Sequence, residues 1–102
     1  MQKNITLFCI VDHSGLAAGI GVAMLPTKLF ILGNPKAGTP LMAASPSAAL
    51  DLPLKILIAE QRDGSVVVSW NDPAWLQQRH GFSPDLISNI AGVEAIARSV
   101  CE

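Results

Sequence analysis

At Thr39-Pro40, Ser45-Pro46, Asp72-Pro73 and Ser83-Pro84 a residue with a short side-chain acceptor stands immediately before a proline. Each pair reads as an N-cap followed by the first helical residue. A proline is tolerated there because that N–H has no intrahelical partner in any case. The pairs therefore predict four helix starts, two of them short. The helix opened by Asp72 runs through Ala74, Trp75 and Leu76, and Gly81 is placed to close it in the left-handed conformation after His80. Beyond Ser83, the residues Leu86, Ile90, Val93, Ala97 and Val100 recur at helical spacing, which predicts one last helix with a single apolar stripe.

Between these helix starts lie runs with the period and composition of strands. Residues 5–11 are dense in β-branched and aromatic side chains and stop at Asp12-His13-Ser14, a cluster suited to capping a helix. A short helix over residues 15–24 would follow, weakened by Gly15, Gly19 and Gly21. Residues 28–32 read as a second strand, ended by Gly33-Asn34-Pro35. Residues 54–60 and 65–70 read as a hairpin around Gln61-Arg62-Asp63-Gly64, where the Asp-Gly step supplies the backbone freedom of the turn. An antiparallel hairpin with helices gathered on one side gives an α+β fold of two layers, a sheet packed against helices, rather than a parallel βαβ repeat. With 102 residues and no linker or internal repeat, residues 1–102 are expected to form a single domain.

Composition narrows the partners. Half of the residues are hydrophobic and only 15% are charged, where a soluble domain usually carries about 25%. Too little polar surface is available to coat a monomer, so a homo-oligomer, most simply a dimer, is expected. A net charge of −1 gives no attraction to DNA, RNA or an anionic membrane. No run approaches the ~20 apolar residues of a spanning helix, and Lys3 with residues 5–11 makes a poor signal segment, so a cytoplasmic protein is expected. The cysteines, Cys9 and Cys101, have no CxxC spacing and suggest neither a disulfide framework nor a metal site. Cys9 alternates in phase with Ile5, Leu7 and Val11, which predicts a core thiol.

Three groups of residues could carry chemistry. The run Gly33-Asn34-Pro35-Lys36-Ala37-Gly38-Thr39-Pro40 leaves a strand and enters a helix, the topology that cradles anions on backbone N–H groups. As a P-loop it fails: Gly38 stands where the phosphate-binding lysine belongs, and Pro35 and Pro40 each remove a donor. Binding of a small anionic metabolite through Asn34, Lys36 and Thr39 remains as one reading and a rigid turn with a capping threonine as the other. Asp12 and His13, at the end of a strand, are candidates for acid–base catalysis, with helix capping by Asp12 and a surface His13 as the alternative. Asp51, in Asp51-Leu52-Pro53-Leu54-Lys55, joins the candidate ligand-binding set and could pair with Lys55. No nucleophile elbow, metal-ligand spacing or cofactor motif accompanies them, so no cofactor or metal is expected and catalysis stays an open alternative to binding.

The Gly33 to Pro40 run with Leu41-Met42, continued by Asp51-Leu52-Pro53-Leu54-Lys55 and Asn71-Asp72-Pro73, resembles the domain-of-unknown-function 302 family. Asp12-His13 upstream and Leu76 with Arg79-His80-Gly81 downstream strengthen the likeness. The resemblance implies a two-layer α+β fold in small bacterial proteins, similar in class to the TATA-binding-protein-like arrangement of a curved antiparallel sheet against helices. It implies no established reaction, cofactor or substrate. The nucleic-acid role of a similarly folded protein does not transfer, because function lives in sites and this chain lacks the basic surface. Family members usually carry a strand and a helix before the segment that matches residues 5–11 here, so the resemblance also implies a fold without those leading elements.

Overall fold

Every strand of the sheet pairs with its neighbour in sequence. The computed structural model, which describes residues 5–101, places β1 (Thr6–Asp12), β2 (Thr27–Gly33), β3 (Leu54–Glu60) and β4 (Val66–Trp70) in the order β1-β2-β3-β4, all antiparallel. Helix α1 (His13–Gly19) joins β1 to β2. Helix α2 (Pro35–Ala44) and a 3-10 turn over Pro46–Leu50 lie between β2 and β3. Helix α3 (Pro73–His80), a second 3-10 turn over Pro84–Asn89 and helix α4 (Gly92–Cys101) follow β4.

The register explains which face is buried. Leu32 lies opposite Leu54 and Phe30 opposite Ile56, while Ile58 faces Val68 and Ile56 faces Trp70. Strand side chains alternate, so all of these point to one side. There they meet Leu41 of α2, Leu76 of α3, Phe82, Ile90, and Val93 and Ala97 of α4 in one core cluster. Leu41 and Leu76 are the largest fully buried side chains. Burial of each contributes about 1.5–3 kcal/mol. The opposite face carries Val11, Leu29, Ile31 and Leu57, none of which belongs to that cluster.

Local chemistry sets most of the boundaries. The Asp72 carboxylate accepts from the Ala74 N–H at 3.0 Å with Pro73 at the start of α3, and Gly81 ends the helix at φ 73°. Arg79 and His80 occupy the last turn, where cations suit the helix dipole. Elsewhere the proline pairs act differently from expectation. Helix α2 opens at Asn34, whose side chain accepts from the Lys36 N–H at 3.0 Å with Pro35 at the first position. Pro40 is then interior, and the Thr39 hydroxyl donates back to the Pro35 carbonyl at 2.6 Å instead of capping. Ser45-Pro46 and Ser83-Pro84 open 3-10 turns, and the predicted final helix is split, with only α4 truly helical.

Cys9 is exposed and is not a core thiol. The register shifts between Leu7 and Cys9, a bulge that inserts Phe8. Leu7 consequently faces the core side beside Leu32, whereas Cys9 and Val11 turn to the other face opposite Ile31 and Leu29. The Cys101 side chain, Glu102 and residues 1–4 lie outside the described residues.

Candidate functional site

At the end of the sheet where β2 hands over to α2, the chain leaves a cleft of about 260 Å³. Its walls come from the start of α2, from Leu52 and Pro53 ahead of β3, from Phe8 of β1, and from Ile90 and Val93 near the start of α4. Most of this lining is apolar, with polar groups supplied by Asn34, Thr39 and Asn89. Three wall positions are glycines, namely Gly33, Gly38 and Gly92. A Cβ at Gly92 would meet nothing within 4 Å, so the missing side chain is itself part of the open space.

The polar wall groups are held in place. Asn34 spends one oxygen on the α2 cap, and Thr39 is tied to the Pro35 carbonyl. Asn89, which carried no signal in the sequence, donates from Nδ2 to the Ala37 carbonyl at 3.0 Å and so ties the second 3-10 turn to α2. Lys36 is exposed and is not on the cleft walls.

Asp12 and His13 lie elsewhere, at the junction of β1 and α1. Asp12 caps α1, accepting from the Gly15 N–H at 3.0 Å and the Ser14 hydroxyl at 2.7 Å. The Gly15 N–H and the Ser14 hydroxyl, with the charges of Lys28 and His13, hold the Asp12 carboxyl below its ordinary value of 3.8. His13 is the first residue of α1 and is exposed.

An aspartate–histidine pair does form, between residues 29 positions apart. Asp51 Oδ2 lies 2.6 Å from His80 Nε2 and 3.1 Å from an Arg79 guanidinium nitrogen. The other ring nitrogen, His80 Nδ1, lies 2.9 Å from Ser47 Oγ. The His80 side chain is only 4% exposed and that of Asp51 15%, whereas Ser47 is exposed. Arg79 also stacks over Trp75 at 5.5 Å. Asp51 thus clasps the end of α3 and does not pair with Lys55, whose amine lies 3.4 Å from the Pro53 carbonyl. No spacing rule reveals such a cluster; the one hint was a histidine and an arginine in the last turn of a helix, short of an anionic partner.

Of the expected ligand residues, then, Asn34 and Thr39 share the cleft, Lys36 stands beside it, and Asp51 belongs to the second cluster. Among the described residues no group of three or more His, Cys, Asp or Glu could hold a metal ion.

The family model described as domain of unknown function DUF302 matches residues 1–99. The chain belongs to the DUF302 family. Its fold is that of the crystal structure of an uncharacterized conserved DUF302 protein from Bacillus stearothermophilus, with a TM-score of 0.75 over 96% of this chain and 76% of that one, at 15% identity. In sequence this DUF302 chain is 44% identical over 87 residues to the fluoride-specific ion channel FluC 1 of Brucella suis biovar 1 (strain 1330), covering 83% of this chain and 34% of that protein. The fluoride-specific ion channel FluC 1 of Brucella abortus biovar 1 (strain 9-941) is also 44% identical, over 83% of this chain and 32% of its own length. The DUF302 chain spans about a third of the length of these curated relatives. Among the described residues no helix is long and apolar enough to cross a membrane.

Proposed function

We propose that this DUF302 domain is a small-molecule binding module and that its ligand sits in the cleft beside α2. The cleft itself carries the reading: a concave, mostly apolar site with a few fixed polar groups is the usual form of a ligand pocket. At about 260 Å³ it is smaller than the ~300–1,000 Å³ of most such pockets, which favours a compact ligand. The sequence alone left a small anion as one reading of this loop and a rigid turn as the other. The walls favour an apolar body carrying one or two polar atoms for Asn34, Thr39 or Asn89, because Lys36 is not among the lining residues. A similar segment making up about a third of longer proteins suits a binding module.

The test uses indole and 4-methylphenol as compact probes. Each is expected to shift the amide resonances of Gly33, Gly38 and Gly92 in a saturable way, and Gly92→Leu, which fills the cleft, abolishes the response. Sodium phosphate serves as the anion control. Shifts with phosphate and none with either aromatic probe would overturn the apolar reading, and no saturable shift with any of the three would overturn the binding site.

A second reading concerns partners: the domain pairs with another copy of itself. It rests on Leu7, Ile10 and Val100, which are 40%, 47% and 50% exposed beside a groove of about 330 Å³ between α4 and the β1 side of the sheet. Large apolar surfaces of this kind favour association, and the free edge of β1 carries no charge from Thr6 to Val11 to discourage it. Sedimentation at micromolar concentration is expected to give a dimer that Ile10→Lys converts to a 10.7 kDa monomer. A wild-type monomer under those conditions rejects this reading.

A further inference from the structure

The cluster of Ser47, His80 and Asp51 lies outside the cleft, and its hydrogen bonds have only one consistent direction when Asp51 is ionised and His80 is neutral. A carboxylate only accepts, so the His80 nitrogen 2.6 Å from Asp51 Oδ2 must carry the ring proton. In the neutral imidazole the other nitrogen, Nδ1, is then bare and can only accept. Its neighbour at 2.9 Å is the Ser47 hydroxyl, which must be the donor. A serine hydroxyl directed at the lone pair of an imidazole whose far side is held by a carboxylate is the arrangement of roles that activates a serine nucleophile. Here the two ring nitrogens are used in the reverse sense from the usual triad, with Nδ1 toward the serine.

The surroundings fit that use. His80 is almost fully buried and Asp51 mostly so, which shields their bond from most of the solvent. Ser47 faces solvent, open to a substrate from outside. In a 3-10 turn, side chains three apart eclipse, which puts Leu50, 68% exposed, alongside Ser47 as an apolar flank.

The geometry points to Ser47 as a nucleophile toward small activated acyl esters with short apolar acyl groups. Ser47 Oγ attacks the ester carbonyl carbon while its proton passes to His80 Nδ1. The C–O bond to the alcohol then breaks, and the departing alcohol takes that proton from Nδ1. Water attacks the acyl-serine in the same way, giving its proton to Nδ1 and releasing the carboxylic acid as Ser47 Oγ is reprotonated. Ser47 and His80 are the catalytic residues. Asp51, held in turn by Arg79, is a positioning residue that fixes the tautomer.

Two measurements on the full chain test this. With 4-nitrophenyl acetate, intact-mass and peptide analysis are expected to find an acetyl group on Ser47, absent in Ser47→Ala. Asp51→Asn slows its formation about 100-fold, at the lower end of what a positioned general base contributes. Independently, nitrogen-15 NMR of the folded wild type is expected to show His80 protonated at Nε2 and bare at Nδ1. Acetylation only at lysines or the N-terminus, equal rates in Asp51→Asn, or the opposite tautomer would each overturn the assignment. The tautomer measurement stands even where the Asp51 variant fails to fold.

Discussion

Replacing Gly38 with alanine is expected to stabilise the protein, and the same change at Gly81 to destabilise it. Gly38 lies inside α2, where a glycine is about 0.5–1 kcal/mol less favourable than alanine because the unfolded chain has more freedom to lose. The structure has room for the methyl group: the nearest atom to an added Cβ is Leu52 Cδ1 at 3.9 Å, an ordinary van der Waals contact. Gly81 has the same open surroundings but φ 73°, where an L-residue costs about 1–2 kcal/mol. Urea titration followed by tryptophan fluorescence reads both. With a denaturant slope of about 2 kcal/mol per molar, the midpoint rises by about 0.3–0.5 M for Gly38→Ala and falls by about 0.5–1 M for Gly81→Ala. Since Gly38 also lines the cleft, the stabilised variant should bind indole more weakly than wild type. A lowered midpoint for Gly38→Ala would show that α2 does not tolerate a side chain there and would refute the argument.

Asp51→Ala leaves the shielded His80 ring without its acceptor and is expected to cost about 1–3 kcal/mol by denaturant titration, whereas Lys55→Ala changes stability by less than about 0.5 kcal/mol. Asp12 and Asp63 have lowered pKa values, Asp12 through the Gly15 N–H and Ser14 hydroxyl and Asp63 through the Ser65 hydroxyl and N–H. A depressed folded pKa stabilises above the unfolded value of 3.8 and is lost as pH falls through the folded pKa, so Asp12→Asn should flatten the stability profile below pH 3.8 and leave its neutral limb flat. Cys9 should react with a thiol reagent in the native protein at a rate close to that in urea; strong native protection would contradict its exposed position.

What could be read from the residues was what local chemistry decides. The Asp63-Gly64 turn, the Asp72 cap with Pro73, and the Gly81 stop each depend on a few neighbouring atoms, and each appears where the sequence puts it. In sequence the start of α2 reads at Thr39-Pro40, and Asn34-Pro35 reads only as the end of a strand, although Asn34-Pro35 meets the same capping rule. The structure uses the pair adjoining β2, which leaves no gap between strand and helix. The phase of Cys9 failed because one inserted residue reverses every later side chain in a strand. At the site, the Gly33 to Pro40 loop was visible through its glycines and prolines, while Asn89 reaches Ala37 across 52 positions and Arg79 and His80 reach Asp51 across 28 and 29, contacts that exist only once the chain has folded.

The nearest-neighbour strand order also says how the protein comes apart. Strands β3 and β4 meet across the short turn at residues 61–65, so their ladder forms with little loop closure, and α4 docks on the same pair. Strand β1 is attached by a single ladder, interrupted at Phe8, and can peel away with α1 while every other ladder stays intact. Amides of β1 should then exchange with solvent through local opening, faster than those of β3, whose release requires the whole domain to unfold.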